Sequence, residues 1–350
     1  MEIKELFDVN KIVKAYETLG RQESYLHEIL MPARQTDNFN ITTIVEDEKV
    51  PVAIRPSNFD ADPISRRFGE TALYDGKKLY FKENYKLREE DRVRMFELLK
   101  MNDGGVGATN FANYRIAEFA NWLEGVRLRA EILGVSLLTT GKVKVNQDGV
   151  LKEIDYKLDA THKKTTGGTG FGSAWTNPTA KPLSDILKIA EKGSKYVIMT
   201  EKTYKDMLAT DEVKTFANKE LILYMPTEQE ISDAIFRKFG INLIVYKTKG
   251  KLKETGTTEV LFPDNFVSFV APNFGFTSYA PTVSGIDSAL GLSDGSNVAV
   301  IPKTGGATVK TTFVKGEQAT AISNFEILVE SMVAPDEINI NKLYTLDVSV

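Results

Sequence analysis

The chain has 350 residues, 42% hydrophobic and 26% charged; it is long enough for about two domains with a full core, and that balance excludes a disordered or fibrous chain. Forty-four Lys and Arg against 48 Asp and Glu leave a net charge of −4, so no large basic face for gripping phosphates dominates it. No cysteine is present, which excludes disulfides, thiolate nucleophiles, cysteine zinc sites and iron–sulfur clusters.

The opening Met1-Glu2-Ile3-Lys4-Glu5-Leu6-Phe7 lacks the basic start and apolar run of a secretory signal. In chain order, Val9, Ile12, Val13, Tyr16, Leu19, Leu26 and Leu30 recur at helical spacing over 8–30, and Pro32 stops the pattern. From Asp37 to about Lys86 short β-prone pieces alternate with charges. Tyr74-Asp75-Gly76-Lys77 signals a hairpin with arms Thr71–Tyr74 and Leu79–Phe81. This stretch is too polar to hold its own core and needs something else to lie on. A helix is expected over Leu87–Met101. The clearest element follows, where Ala112, Ile116, Phe119, Leu123, Val126, Ala130 and Leu133 step by three and four. Trp122 and Ile132 widen that stripe, a helix over 109–137 is roughly 40 Å long, and Thr139-Thr140-Gly141 ends it.

A β-hairpin is expected over 142–156, turning at Asp148-Gly149, and a loop over 161–178. A compact α/β section then reads helix 182–191, strand 195–199, helix 200–216, strand 220–225, helix 227–239 and strand 241–246. Thr227-Glu228-Gln229-Glu230 fits a capping box and Gly240 a helix stop. Strands are expected at 258–262, 266–271, 297–301, 308–314, 319–333 and 343–350. The charge-free stretch 265–286 is broken by Pro272, Gly275, Pro281 and Gly285 and is no membrane helix. The chain reads as cytosolic or as part of a soluble assembly.

Each catalytic pattern in the sequence has a structural alternative. Gly291-Leu292-Ser293-Asp294-Gly295 matches a nucleophile elbow, but a strand follows it and no His lies beyond His162; it reads as a turn. Gly168-Thr169-Gly170-Phe171-Gly172 meets Trp175 and Pro178 where a phosphate loop would open a helix. Asp60 and Asp62 lack companion carboxylates. Glu89-Glu90-Asp91 lies among Arg88, Arg92 and Arg94, which reads as a surface ion-pair face. His27 on a helix and His162 in a loop have no partner at ligand spacing. By subtraction the chain is a structural or interaction protein, with no catalytic, cofactor or metal residues assigned; a mixed α/β enzyme with a carboxylate site around 178–275 is the alternative.

The order of parts resembles the Hong Kong 97-type capsid fold, and in detail the lambda-type phage major capsid protein E family. The likeness rests on Val52-Ala53-Ile54-Arg55-Pro56, on Tyr114–Thr140 as a spine helix, on Thr166-Gly167-Gly168-Thr169 before Trp175, on Leu261-Phe262-Pro263-Asp264-Asn265 and on Glu330–Glu337. Ser57 stands where the family has a glycine. The resemblance implies an α+β, Hong Kong 97-like fold with an N-terminal arm (1–45), an extended loop (46–90) and a peripheral domain (91–177) with spine helix 109–137. An axial domain (178–275) and returning strands (276–350) complete it. It further implies a non-enzymatic major head protein without cofactors, assembling as hexamers and pentamers into an icosahedral shell of a tailed phage or prophage. Scaffolding and portal proteins and packaged double-stranded DNA, held without sequence specificity, are its implied partners, with no membrane. Its place would be the virion, after synthesis in the host bacterial cytoplasm. A nanocompartment shell protein of the same fold is a further alternative.

Overall fold

The computed structural model describes residues 8–18, 25–44, 76–86, 89–100, 106–147, 150–168, 170–220, 227–251, 257–292, 296–301, 306–314 and 324–350. The chain divides into two compact units. One holds the described residues of Met1–Asn40, Lys77–Gly134 and Phe276–Pro335; the other holds those of Ile41–Gly76, Val135–Gly275 and Asp336–Val350.

In the first unit, six strands among the described residues form one sheet. Its order is Ala33–Gln35, Phe276–Ala280, Asn324–Asp336, Ala307–Val314 and Ser296–Ile301, with Leu79–Lys86 also pairing with Asn324–Asp336. That 13-residue strand runs antiparallel to both Ala307–Val314, Val329 opposite Val309, and Leu79–Lys86, Leu328 opposite Asn84. Two helices cover the sheet. Val9–Thr18 supplies Val9, Ile12 and Tyr16, and the long helix Val106–Thr140 supplies Ile116, Phe119, Ala120 and Leu123. They meet Ile301, Val309, Ile327 and Val329 in one buried cluster. Spacings of three and four on the helices and of two on the strands put these residues on facing surfaces.

The long helix has 35 residues, about 52 Å at 1.5 Å per residue, so it starts earlier and ends later than the expected 109–137. The stripe widens toward its end, where 130, 131, 133, 134, 135, 137 and 138 are all buried. The stop is as expected. Thr139 and Thr140 hydroxyls donate to the carbonyls of Val135 and Ser136, at 2.8 and 2.7 Å. Gly141 turns left-handed at φ 73° and donates its N–H to Leu137 O at 2.8 Å.

In the second unit five strands pair in the order Asn242–Tyr246, Tyr196–Thr200, Phe266–Val270, Leu343–Asp347 and Lys163–Thr165. Helices Pro182–Ala190, Glu201–Leu208, Asp211–Glu220 and Glu228–Phe239 contribute Ile186, Ile189, Met207, Val213 and Ile235 to its core, against Val197, Met199, Val267, Phe269 and Leu346. The capping box forms: Glu230 N–H donates to Thr227 Oγ1, and Thr227 N–H to Glu230 Oε2. The hairpin forms from Lys142–Gln147 and Val150–Asp155.

Several expectations shift. The 8–30 helix is two helices, Val9–Thr18 and Leu26–Leu30, with 19–24 outside the described residues. Residues 200–216 break at Ala209-Thr210, where the Thr210 hydroxyl bonds back to Met207 O; no Gly or Pro marks the break. Residue 220 closes a helix, and the rest of the expected 220–225 strand lies outside the described residues. The Thr71–Tyr74 hairpin arm does too, and Leu79–Phe81 pairs with Ser331–Val333. Strand Phe276–Ala280 and helix Val283–Ala289 were not expected. Thr277 and Ser278 are polar yet buried, so no apolar alternation marks that strand.

Gly141 sits where a Cβ would lie 2.4 Å from Leu158 Cβ, whereas a Cβ on helical Gly125 meets nothing within 4 Å. Gly141→Ala is expected to cost more than about 1 kcal/mol. Gly125→Ala is expected to add about 0.5–1 kcal/mol. Urea midpoints of the two variants should move in opposite directions.

Candidate functional site

Among the described residues, none of the candidates for chemistry comes together with another. Asp60 and Asp62 lie outside the described residues. Glu89-Glu90-Asp91 opens helix Glu89–Lys100. Gly291, at φ 73°, ends helix Val283–Ala289, and a strand follows at Ser296; 293–295 lie outside the described residues, and a helix stands where an elbow requires a strand. His162 donates its Nδ1–H to Leu343 O at 3.0 Å and stacks on Tyr344 at 4.0 Å. Among the described residues no three His, Asp or Glu side chains stand where they could hold a metal ion, and no helix is long and apolar enough to cross a membrane.

The glycine-rich loop opens no helix; the next one begins at Pro182. Gly167 N–H donates to Gly172 O at 2.6 Å. The loop is held instead by Asp185, which accepts from Gly172 N–H and the Trp175 indole N–H, both at 3.3 Å, with Lys188 Nζ at 3.6 Å. Burial pushes the Asp185 carboxyl up, against the pull of those two donors and of Lys188. Holding this loop is the role that the structure gives Asp185.

His27 opens onto the first unit's buried polar network. Glu131, fully buried on the long helix, accepts Leu26 N–H at 3.1 Å and His27 N–H at 2.9 Å. These are first-turn donors of helix Leu26–Leu30 that have no partner within the helix. His27 Nδ1 lies 2.8 Å from the same carboxylate. One turn earlier Arg127, 2% exposed, binds Glu28 with Nε and Nη2 at 3.0 and 2.8 Å and Glu124 with Nη1 at 2.7 Å. Its guanidinium lies 4.8 Å from the centre of the Tyr25 ring, and Tyr16 donates to Glu124 Oε2 at 3.0 Å. Burial works against the Arg127 charge, but the Glu28 and Glu124 bonds outweigh it and hold it charged. Gly134 leaves the space: a Cβ there would be 3.1 Å from His27 Cβ. Glu124, Arg127, Glu131 and Gly134 recur at helical steps on one face and clamp the N-terminal helices to the long helix.

A second set ties down the strand that follows the polar excursion. Lys78, 4% exposed, donates Nζ to Asn38 O at 2.9 Å and Asn40 O at 2.7 Å, while its N–H donates to Phe39 O. Along Leu79–Lys86 the odd residues turn to the long helix. Phe81 lies under Arg129 at 5.2 Å, Glu83 accepts the Trp122 indole N–H at 2.6 Å, and Tyr85 meets Phe119 edge-on at 5.0 Å. The even residues share the opposite face of the sheet with Glu326 and Glu330: Tyr80 donates to Glu330 Oε1 at 2.5 Å and Lys86 pairs with Glu326 at 3.0 Å. Burial, then Glu330, raises the Tyr80 phenol above its ordinary range. Glu330 also caps Ser284 N–H at 2.9 Å.

Sequence reasoning passed over Glu131, Arg127, Lys78 and Glu330, because charged side chains read as solvated. The detectable signal was Arg127 and Glu131 flanking buried Ala130 within the apolar stripe.

Arg127→Met leaves Glu28 and Glu124 without their cation and is expected to cost about 3 kcal/mol, read from urea unfolding. For Asp185 the sign is opposite to that of most carboxylates. Its pKa is higher folded than unfolded, so its contribution to stability is greatest below the unfolded value near about 4 and declines as pH rises through the folded one. Asp185→Asn should therefore gain on the wild type as pH rises from about 4 through the raised folded value, read as the difference in urea midpoints.

The sequence matches the family model described as phage major capsid protein E over residues 8–290. A comparison with curated proteins gives no match. Among solved structures, a chain described as a prophage capsid protein of E. coli CFT073 superposes with a TM-score of 0.57 at 15% identity, covering 97% of this chain and 98% of that one. A phage-related protein of Bordetella bronchiseptica RB50 superposes at 0.52 with 12% identity, covering 96% of each. At such identity the likeness is one of fold.

Proposed function

Because the chain belongs to the phage major capsid protein E family, a structural family of the virion, we propose that its copies assemble as hexamers and pentamers into an icosahedral head. That head would enclose the double-stranded DNA of a tailed phage or prophage. The chain would be made in the host bacterial cytoplasm and meet scaffolding and portal proteins there. In this reading 1–45 form the N-terminal arm, and 46–90 the extended loop of a Hong Kong 97-type subunit, lying over a neighbour. Residues 91–177 form the peripheral domain with the long helix as its spine, 178–275 the axial domain and 276–350 the returning strands.

The observation that carries the reading is the family match over residues 8–290. The first unit supports it with a base for the loop. Lys78 ties the chain just beyond the excursion to Asn38 and Asn40 just before it, and Leu79–Lys86 is bonded on both faces. Many weak contacts between copies, each helped by tethering, then give a cooperative shell.

Purified wild-type chain should give capsomers or hollow particles by negative-stain microscopy and native mass. Lys78→Met should keep its far-UV spectrum yet assemble at least about tenfold less, the factor for about 1.4 kcal/mol per contact. Wild-type protein that remains a solitary small globule in every condition would sink the reading.

A further inference from the structure

Strands at the margin of the first unit's sheet are guarded unequally. Ala33–Gln35 is three residues long, follows Pro32 and carries Arg34. Leu79–Lys86 carries Lys82, Glu83 and Lys86. Short length, proline and charge are what keep an edge from pairing with foreign strands. Ser296–Ile301 is six residues long and has neither charge nor proline. It pairs antiparallel with Ala307–Val314, and over Ser296–Val300 its far side meets no strand among the described residues.

An apolar rim runs along that edge. Helix Val283–Ala289 packs on Ser296–Ile301. Its N-cap Thr282 donates its hydroxyl to Thr308 Oγ1 at 2.7 Å, and Thr308 stands opposite Val300. Residues directly opposite in a strand pair share a face, so Val300 lies beside the start of the helix, while Ala299 turns to the core on the other face. Val283 and Leu290, seven residues apart, share one side of the helix. They are 49% and 67% exposed, Leu292 just beyond is 68% exposed and Val300 51%. Val283 and Val300 thus fringe one end of the strand, and Leu290 and Leu292, shortly before Ser296, the other. A contiguous exposed apolar surface of this kind marks an interaction site. Over 281–301 the charges are Asp287 and Asp294, with no Lys or Arg, so a phosphate-bearing ligand finds no cation there.

We propose that a second copy of the chain pairs with this edge across a twofold axis, Ser296–Val300 of each copy antiparallel to Ser296–Val300 of the other, with Val298 at the axis. The choice of a second copy as occupant rests on the capsid reading above. A twofold contact uses the same patch of both subunits, and an uncharged strand meets its own copy without like-charge repulsion. Antiparallel pairing also suits the rim. It sets the Val283 and Val300 end of one copy against Leu290 and Leu292 of the partner subunit, apolar to apolar along the joint.

The chain has no cysteine, so a single introduced thiol reports on its own copy. On mild oxidation of full-length chain under assembling conditions, Val298→Cys should give a covalent dimer at least about tenfold faster than Val300→Cys. Paired Cα atoms at the axis lie about 4.5–5.5 Å apart, within disulfide reach, and those of the two Val300 residues roughly 14 Å apart. Val300 is the more exposed of the two positions, so random collision gives the opposite order; that order, or equal rates, overturns the proposal. The double variant Leu290→Lys, Val300→Lys alters two exposed positions and should keep its far-UV spectrum, with self-association at least about tenfold weaker by sedimentation, since like charges then face each other. Leu151→Lys, at a position 74% exposed in the second unit, should associate as the wild type does. Unchanged association in the double variant, or an equal loss in Leu151→Lys, also overturns it. Particle formation is scored separately by microscopy. Particles whose Val298→Cys form does not crosslink reject this edge alone, whereas wild-type chain that stays solitary rejects the capsid reading and the edge with it.

Discussion

A fully buried carboxylate on a helix must find all of its partners locally, and Glu131 sets that constraint on the first unit. With no water to share its charge, it accepts two backbone N–H groups and faces an imidazole nitrogen. Those N–H groups would themselves be orphans at the start of a five-residue helix. The two deficits cancel, but only when Leu26–Leu30 sits at one height and rotation on the long helix. A purely apolar contact would tolerate sliding by a turn; this one does not, because a slip strands both the carboxylate and Arg127. The clamp's contribution is thus to register more than to net stability. Gly134 completes it by letting the His27 backbone approach.

The same logic of doubled partners recurs at Glu330. One oxygen takes the Tyr80 hydroxyl and the other the Ser284 N–H, so a single side chain of the central strand fixes both the strand after the excursion and the start of helix Val283–Ala289. The even face of Leu79–Lys86 is thereby held polar group to polar group, and the odd face is held by Phe119, Trp122 and Arg129 of the long helix. A strand gripped on both faces and along its edge cannot rotate freely.

Most elements could be read before the coordinates because their signals are local. The long helix announces itself by apolar steps of three and four, the 142–155 hairpin by alternation around Asp148-Gly149, and Glu228–Phe239 by its capping box and Gly240. What escaped was fixed by tertiary partners. Strand Phe276–Ala280 buries Thr277 and Ser278, so its pattern looks like a loop. The break at Thr210 carries no glycine or proline. Leu79–Lys86 pairs with a strand some 250 residues later in sequence, and a nearby turn signal suggested a closer partner. The clamp was the hardest to see, since nothing in a Glu or an Arg distinguishes a solvated side chain from one whose partners lie about a hundred residues away.

A superposition at 12–15% identity across nearly the whole chain says which features carry the fold. Few side chains can be shared at that level, so the common architecture rests on period and burial: an apolar stripe of the right length, alternating strands, and cores filled to volume by whichever aliphatic residues are present. Such a scaffold specifies where elements lie and leaves their exact register to residues that can differ from one chain to the next. In this chain polar groups take that part: Glu131, Arg127 and Lys78 each hold a segment other than their own, and Glu330 holds two. Within each unit, surfaces stay fixed relative to one another only if the elements hold one register. Directional hydrogen bonds at buried crossings supply that fixity where interchangeable apolar contacts do not.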